Sequence, residues 1–516
     1  MELTDEIRRE IGQHFVVGFN GYDASYDIQV LIKDYHVGSV RSMWEGAKQV
    51  HALVQKLQQI AKDAGHQRPL MIGTDQENGL VSAFSVARSD EAGTQFPGAM
   101  ALAAAGSPDL AERISEASAL ELKLAGINWA YSPVADVNSD PRNPVIGGIR
   151  AVPEEVAKYV AAALIAPSPK HFPGHGDTQV DSHISLPIIS KDAASLAKTD
   201  LIPFQTASDV RAATIMVGHM ALPSITGDNT PASLSNAVVT DLLCGSLGYD
   251  GVVVTDCLEM EAVAEREGGV PRAAVDALRA GADIAMICHS FVRQKSAIEE
   301  AYRAIQDGSL DKEMLRASGR RIAVLKDTFA GDWSQIIGTN FDEMKWDRLK
   351  TENLTLSRQT YASSIALIRD PDGVIPLPKS AGVVVLLTPR MESLNLAVAD
   401  ADGVPRKDGL KLRNTAGPSY LALAESISKR VKGASLHDVY TPEEPFSTEL
   451  EDAINHAASV LFVTRSAERS TWQLDRLREV LRLRKVSRGV VVLASYGPYD
   501  LLMCPLQRTV WMQRLP

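Results

Sequence analysis

Gly251-Val252-Val253-Val254-Thr255-Asp256 is an apolar, β-branched run that stops on a carboxylate. A short run with no polar alternation reads as a strand buried on both faces, the kind that parallel sheets contain. Comparable runs flank it, and together they occupy residues 14–19, 37–42, 70–74, 128–132, 166–170, 214–218, 252–255 and 283–287. Helical patterns fall between them at residues 45–64, 108–125, 154–164, 193–208, 236–247 and 271–280. Eight strands alternating with helices predict an α/β fold whose first part, residues 1–330, is a closed (β/α)8 TIM-like barrel.

Polar residues punctuate the strand ends. Asp75 follows the third strand, and Lys170 and His171 end the fifth. His219 ends the sixth, Asp256 the seventh, and His289 follows the eighth. Barrel enzymes carry their chemistry at the C-terminal ends of their strands, so this placement predicts an enzyme.

The pattern changes after residue 330. Residues 331–362 read as a polar connector leading into a helix. Residues 363–516 read as an open, doubly wound α/β domain, with strands near 364–368, 382–387, 459–464 and 489–494. Helices are expected near 419–432, 448–457 and 471–484. Residues 501–516 offer neither a clear helix nor a strand, and we expect the second domain to be incomplete there.

The chain has 516 residues and a net charge of −11, which disfavours nucleic acid and anionic membranes as partners. Its four cysteines show no CxxC spacing and imply no disulfide framework. No apolar run approaches the about 20 residues needed to span a bilayer. The acidic start, residues 1–6, is unlike a secretory signal. These features predict a cytoplasmic protein. Asn353-Leu354-Thr355 fits a glycosylation sequon.

The densest chemistry lies in Lys170-His171-Phe172-Pro173-Gly174-His175-Gly176-Asp177, running on to Asp181-Ser182-His183. Proton-transfer groups on a bendable loop suit acid–base work. Asp181 beside His183 would fix its tautomer and favour its charged form. Asp256 could act as a nucleophile, completing a glycoside-cleaving pair, or could cap the next helix. Glu259 and Glu261 are rival carboxylates expected further into that helix. His171, His175, Asp177, Asp181 and His183 are also possible metal ligands, although their spacing fits no tight zinc signature. Lys170 and His171 could bind sugar hydroxyls, or Lys170 could pair with Asp75 or Asp136. Asp75 could accept hydroxyl hydrogen bonds. Arg150 could hold an acyl group or hydroxyl, or be a solvated surface residue.

Residues 73–79, 132–146, 170–187, 198–204, 218–235 and 251–260 together resemble the β-N-acetylglucosaminidase branch of glycoside hydrolase family 3, in its two-domain form. The Lys-His-Phe-Pro-Gly-His-Gly block followed by Asp-Ser-His is the most specific part. The resemblance implies retaining exo-hydrolysis of terminal β-linked N-acetylglucosamine from a small glycoside, with no cofactor and no metal. It places Asp256 as nucleophile, His183 as acid/base and Asp181 as its partner. It places Asp75, Arg150, Lys170 and His171 on the sugar. Cys257 stands where the family commonly has a second acidic residue, and residues 150–170 are short for the helix and return they must hold. Phosphorolysis by the same site, and sugar binding without turnover, are the alternative expectations.

Overall fold

The computed structural model describes residues 3–19, 21–41, 46–79, 81–85, 92–139, 143, 146, 153–162, 164–370, 373–377, 382–390, 418–484, 490–495, 500 and 510–513. The chain forms two compact units, Met1–Arg358 and Gln359–Pro516.

The first unit is built on eight parallel strands. They are β1 (Phe15–Gly18), β2 (Ser39–Arg41), β3 (Met71–Thr74), β4 (Trp129–Ala130), β5 (Ala166–Pro167), β6 (Thr214–Val217), β7 (Val252–Cys257) and β8 (Ile284–Ile287). Their spatial order is β5-β4-β3-β2-β1-β8-β7-β6. The ends of that row meet. Met216 N–H donates to Pro169 O at 3.0 Å, and Phe172 N–H donates to Met216 O at 2.8 Å. A parallel bridge pairs Phe172 with Val217, so the sheet closes into a barrel.

Period-two alternation explains the unbroken apolar strands. Val16, Met71, Trp129, Ala166, Met216, Val252, Val254, Ile284 and Met286 fill the barrel interior. Their neighbours Phe15, Val17, Val40, Ile72, Ala130, Ala285 and Ile287 pack outward against the surrounding helices. At the lower end of the barrel Arg321 holds the buried Asp283 through two nitrogens, and Asp283 in turn accepts the N–H of Val253 at 2.8 Å.

Several helices differ from the sequence reading. Residues 193–208 form two helices, Ala193–Lys198 and Ile202–Asp209, because the chain turns inward to bury Asp200 against Lys191 and Thr199. Helices Tyr26–Lys33, Phe291–Gln306 and Lys312–Phe329 were not anticipated. The short segment before β5 does hold its helix, Pro153–Ala161. Asn353 is buried and donates to Ala117 O and Glu121 Oε1, so its sequon is closed to glycosylation.

Among the described residues, the second unit carries six strands: β9 (Ala366–Arg369), β10 (Val384–Pro389), β11 (Ser435–Tyr440), β12 (Ser459–Thr464), β13 (Val490–Ala494) and β14 (Val510–Gln513). The order is β9-β14-β13-β12-β10-β11, parallel except where β9 meets β14. Val385, Leu387, Val460, Phe462 and Val492 face one apolar layer, and Val384, Leu386, Leu461, Val463 and Val491 face another. Apolar layers on both faces define a doubly wound sheet. β14 corrects the reading of the tail as strandless: Val510-Trp511-Met512 is β-prone and pairs with β13 on one side and β9 on the other. β11 was missed because its edge position leaves Ser435, Leu436, His437 and Asp438 partly solvated, which removes the apolar signal.

Candidate active site

The polar strand ends converge on one mouth of the barrel. In β7, Val252 and Val254 face the interior. One extra residue then enters the strand: Ile284 pairs with Val254, but Met286 pairs with Cys257. Bulges beside sites re-aim side chains. Asp256 remains partly exposed and sits 3.8 Å from His171 Nε2. Its Oδ1 accepts the N–H of Cys257 at 2.7 Å. It does not cap a helix, since the next one, Glu261–Ala264, has Met260 at its N-cap. Glu259 lies outside that helix as well. It accepts the N–H groups of His289 and Ser290 at 2.6 and 3.0 Å, ahead of helix Phe291–Gln306.

Lys170 is buried between two carboxylates. Its Nζ donates to Asp75 Oδ1 at 2.9 Å and contacts Glu77 Oε1 at 2.6 Å. Arg41 from β2 donates to the other oxygen of Asp75 at 2.8 Å. Burial raises the carboxyl of Asp75, but Lys170 and Arg41 outweigh it and hold the pKa far below the ordinary 3.8. Glu77 goes the other way: burial exceeds the pull of Lys170 and leaves it raised. Oδ2 takes both Nε–H and Nη2–H of Arg41, whereas Oδ1 takes only Lys170 and keeps a second lone pair with which Asp75 can accept a ligand hydroxyl. Lys170 therefore pairs with Asp75, and with Glu77, and not with Asp136, which leaves one ammonium hydrogen not directed at either partner.

His171 is oriented from behind. Its Nδ1–H donates to Asp136 Oδ2 at 2.8 Å, and its backbone N–H donates to Asp136 Oδ1 at 3.1 Å. Burial lowers the imidazole pKa, but the charges of Asp136 and Asp256 outweigh it and leave it raised. The base of the His171 side chain lies against Gly218, just past β6, where an added Cβ would sit 2.8 Å from His171 Cβ. The Lys170–His171 and Phe172–Pro173 peptide bonds are both cis.

The loop after β5 is pinned rather than loose. His175 N–H also donates to Asp136 Oδ1, at 2.6 Å. The His175 ring bonds to Thr178 Oγ1 at 2.8 Å and to Ser182 Oγ at 3.1 Å. Gly176 passes so close to Val137 that a Cβ would lie 1.8 Å from its carbonyl oxygen. Beyond it, Asp181 Oδ1 accepts both the N–H of His183, at 2.9 Å, and its Nδ1–H, at 2.7 Å. Ala262 N–H reaches Ser182 O at 3.4 Å, tying this turn to the segment that follows Asp256.

Burial lowers the His183 pKa, but the hydrogen bond and charge of Asp181, with the charge of Asp256, overcome it and raise the ring above the ordinary 6.5. For Asp256, burial is outweighed by His171, His219, Lys170 and His183, and the pKa falls below 3.8. The mouth thus pairs an ionised carboxylate with a half-buried imidazole poised to carry a proton.

Asp75, Lys170, His171 and Asp256 are brought together, with Asp181 and His183 on the loop beside them. Arg150 lies outside the described residues. The five suggested metal ligands disperse: His171 goes to Asp136, His175 to Thr178 and Ser182, and Asp177 to Lys191 at 3.4 Å. Arg41 escaped the sequence reading, although an arginine closing an apolar strand was the available signal. Glu77 escaped because nothing in Gln76-Glu77-Asn78 tells which side chain turns inward.

A parallel barrel with ionisable side chains gathered at the C-terminal ends of its strands defines a barrel enzyme acting on a polar small molecule. Residues 6–325 match the model of the glycosyl hydrolase family 3 N terminal domain. The chain belongs to glycosyl hydrolase family 3 and is a glycoside hydrolase. It is 31% identical over 433 residues to beta-hexosaminidase A of Pseudoalteromonas piscicida, covering 76% of this chain and 69% of that protein. A family 3 beta-N-acetylglucosaminidase from Paenibacillus sp. str. FPU-7 superposes with a TM-score of 0.84 at 30% identity, covering 100% of this chain and 94% of that one. A fungal multi-domain family 3 beta-N-acetylglucosaminidase superposes with a TM-score of 0.84 at 33% identity. This chain is covered to 98% but spans only 57% of that longer protein. Among the described residues, no helix is long and apolar enough to cross a membrane.

Proposed function

We propose that the chain is a retaining exo-β-N-acetylglucosaminidase. The observation that carries this reading is the Asp181–His183 pair on a loop tied by its backbone to the segment after Asp256. The similar proteins named as β-hexosaminidases and β-N-acetylglucosaminidases support the choice of sugar.

Asp256 attacks the anomeric carbon and displaces the aglycone oxygen. Asp181 accepts the hydrogen bond of the His183 Nδ1–H, and the Nε2 proton passes to the departing oxygen. The now neutral His183 removes a proton from water, the resulting hydroxide opens the glycosyl ester, and Asp256 returns as a carboxylate. Two inversions keep the configuration. Asp75, Lys170 and His171 grip the sugar hydroxyls, and His171 helps to hold the Asp256 pKa below the ordinary range. Free thiols at Cys244, Cys257 and Cys288 support a reducing, cytoplasmic setting.

A panel of aryl glycosides tests the substrate. Turnover of the β-N-acetylglucosaminide should exceed that of the β-glucoside by at least tenfold in kcat/KM; the reverse order removes the acetamido sugar from the proposal. Repeating the assay in phosphate buffer separates two acceptors. A histidine left neutral after giving up its proton does not repel phosphate as a carboxylate would. N-acetylglucosamine 1-phosphate as the main product would make the enzyme a phosphorylase, whereas free sugar alone keeps it a hydrolase.

The pH profile follows from the two shifts. Asp256 ionises below the ordinary carboxylate range, so kcat/KM, which reports attack by the free enzyme, should persist on the acid side to below about pH 4. His183 must be protonated to donate, and its raised pKa keeps the acid form present above the ordinary 6.5, so kcat/KM is lost only as pH rises through that higher, folded-state pKa. Asp181→Asn removes the charge that raises it. The alkaline limb of kcat/KM should then move to lower pH; a limb that stays in place would take Asp181 out of this role.

A further inference from the structure

Behind the nucleophile lies a group of side chains that the proposed cycle does not use. Cys257 Sγ, a carboxylate oxygen of Glu259 and a ring nitrogen of His289 all lie within 4.8 Å of one another, and among the described residues they are the one group of three such donors this close. Cys257 is buried, Glu259 half-buried and His289 exposed, so the cluster opens to solvent on the histidine side. Cys257 Sγ stands 3.9 Å from Glu259 Oε2. The carboxylate is already fixed by the N–H groups of His289 and Ser290, yet each oxygen keeps a lone pair. Cys288 hydrogen-bonds to Cys257 and puts a second sulfur beside the first.

We propose that Cys257, Glu259 and His289 form a binding site for a borderline-soft divalent cation, zinc above all, and that filling it slows turnover at Asp256. Thiolate, imidazole and carboxylate together are the donor set zinc prefers. Bonds of about 2.3 Å to sulfur and about 2.0 Å to nitrogen and oxygen put tetrahedral neighbours about 3.5 Å apart. Donors up to 4.8 Å apart therefore need to close by up to about 1.3 Å, a movement within reach of rotation of the exposed His289 side chain. Water or Cys288 completes the shell. The link to turnover is short. Cys257 N–H donates to Asp256 Oδ1, so a cation drawing on Cys257 disturbs the carboxylate's own hydrogen bond, and its charge makes that carboxylate a poorer nucleophile.

The inhibitory half of this inference rests on the proposed role of Asp256; the binding half does not. Zinc is titrated calorimetrically into the dialysed, reduced full-length chain, with a chromogenic chelator as competitor. One equivalent should bind with a Kd of about 10 μM or tighter, a range set by three protein ligands in place of four. His289→Ala, at an exposed position, should weaken binding at least tenfold, and so should Cys257→Ser where its thermal midpoint matches the parent. Absence of stoichiometric binding overturns the site, as does an unchanged affinity in His289→Ala. Binding that survives His289→Ala but falls in His183→Ala moves the cation to the Asp181–His183 pair and equally overturns it. Aryl glycoside turnover should drop at least fivefold at saturating zinc and recover with EDTA. Zinc bound at one equivalent without any loss of turnover refutes the regulatory half. A chain that binds zinc but turns over no glycoside defeats the proposed function instead.

Discussion

Asp256→Ala should lower kcat on an aryl N-acetylglucosaminide by on the order of 10⁴-fold or more, the scale on which nucleophile removal acts. Each decade corresponds to about 1.4 kcal/mol, so the barrier rises by about 5.5 kcal/mol or more. Asp256 ends an interior-lining strand, remains partly exposed at the mouth, and is flanked by His171 at 3.8 Å. Its ionisation is secured by four surrounding bases, so a neutral carboxyl does not limit the parent enzyme. The substitution leaves a small gap on the attacking face of the sugar. Azide supplied in solution can fill that gap, attack the anomeric carbon and expel the aryloxide. The single inversion then yields the α-glycosyl azide. Turnover within tenfold of the parent, or rescue that gives the β-azide, would sink the assignment of Asp256.

His183→Ala should cost about 10²–10⁴-fold, the range of general acid–base contributions, and the loss should depend on the leaving group. The half-buried ring is held through Nδ1 by Asp181, which directs its second nitrogen away from its partner. An alkyl aglycone needs the proton and should show the full loss. A dinitrophenolate leaves without help, so its departure should slow by less than about tenfold, and deglycosylation then becomes limiting. Added small nucleophiles such as azide should speed that second step, because an anion needs no base. A uniform loss over all leaving groups would mean that His183 shapes the pocket and moves no proton.

The barrel was legible because burial on both faces erases alternation. Strands such as Val252–Cys257 and Ile284–Ile287 become unbroken apolar runs that stop on polar residues. Asp75, Lys170, His171, Asp181, His183 and Asp256 could be singled out because each is a costly residue to place beside apolar sequence. What faces what was not legible. Asp136 takes both His171 and His175, and Lys170 pairs with Asp75 and Glu77 and not with Asp136; such choices depend on which strand ends the barrel brings together. Arg41 joins Asp75 across 34 positions of sequence, a pairing that no local pattern encodes. The division of residues 193–208 at Asp200 is similar, since that carboxylate is drawn inward by Lys191 through tertiary contact.

Phe172 joins β5 to β6 through its own amide and carbonyl, and it is flanked by Lys170 and His171 on one side and by His175 on the other. The same half-dozen residues are thus both the seam that shuts the cylinder and the floor of the proposed sugar site. An intermediate with its sheet still open has no place to seat a ligand, however complete its helices. Recovery of catalysis during refolding should therefore trail recovery of helical ellipticity and coincide with final stitching, which makes turnover a clock for the last ring-closing event in the chain.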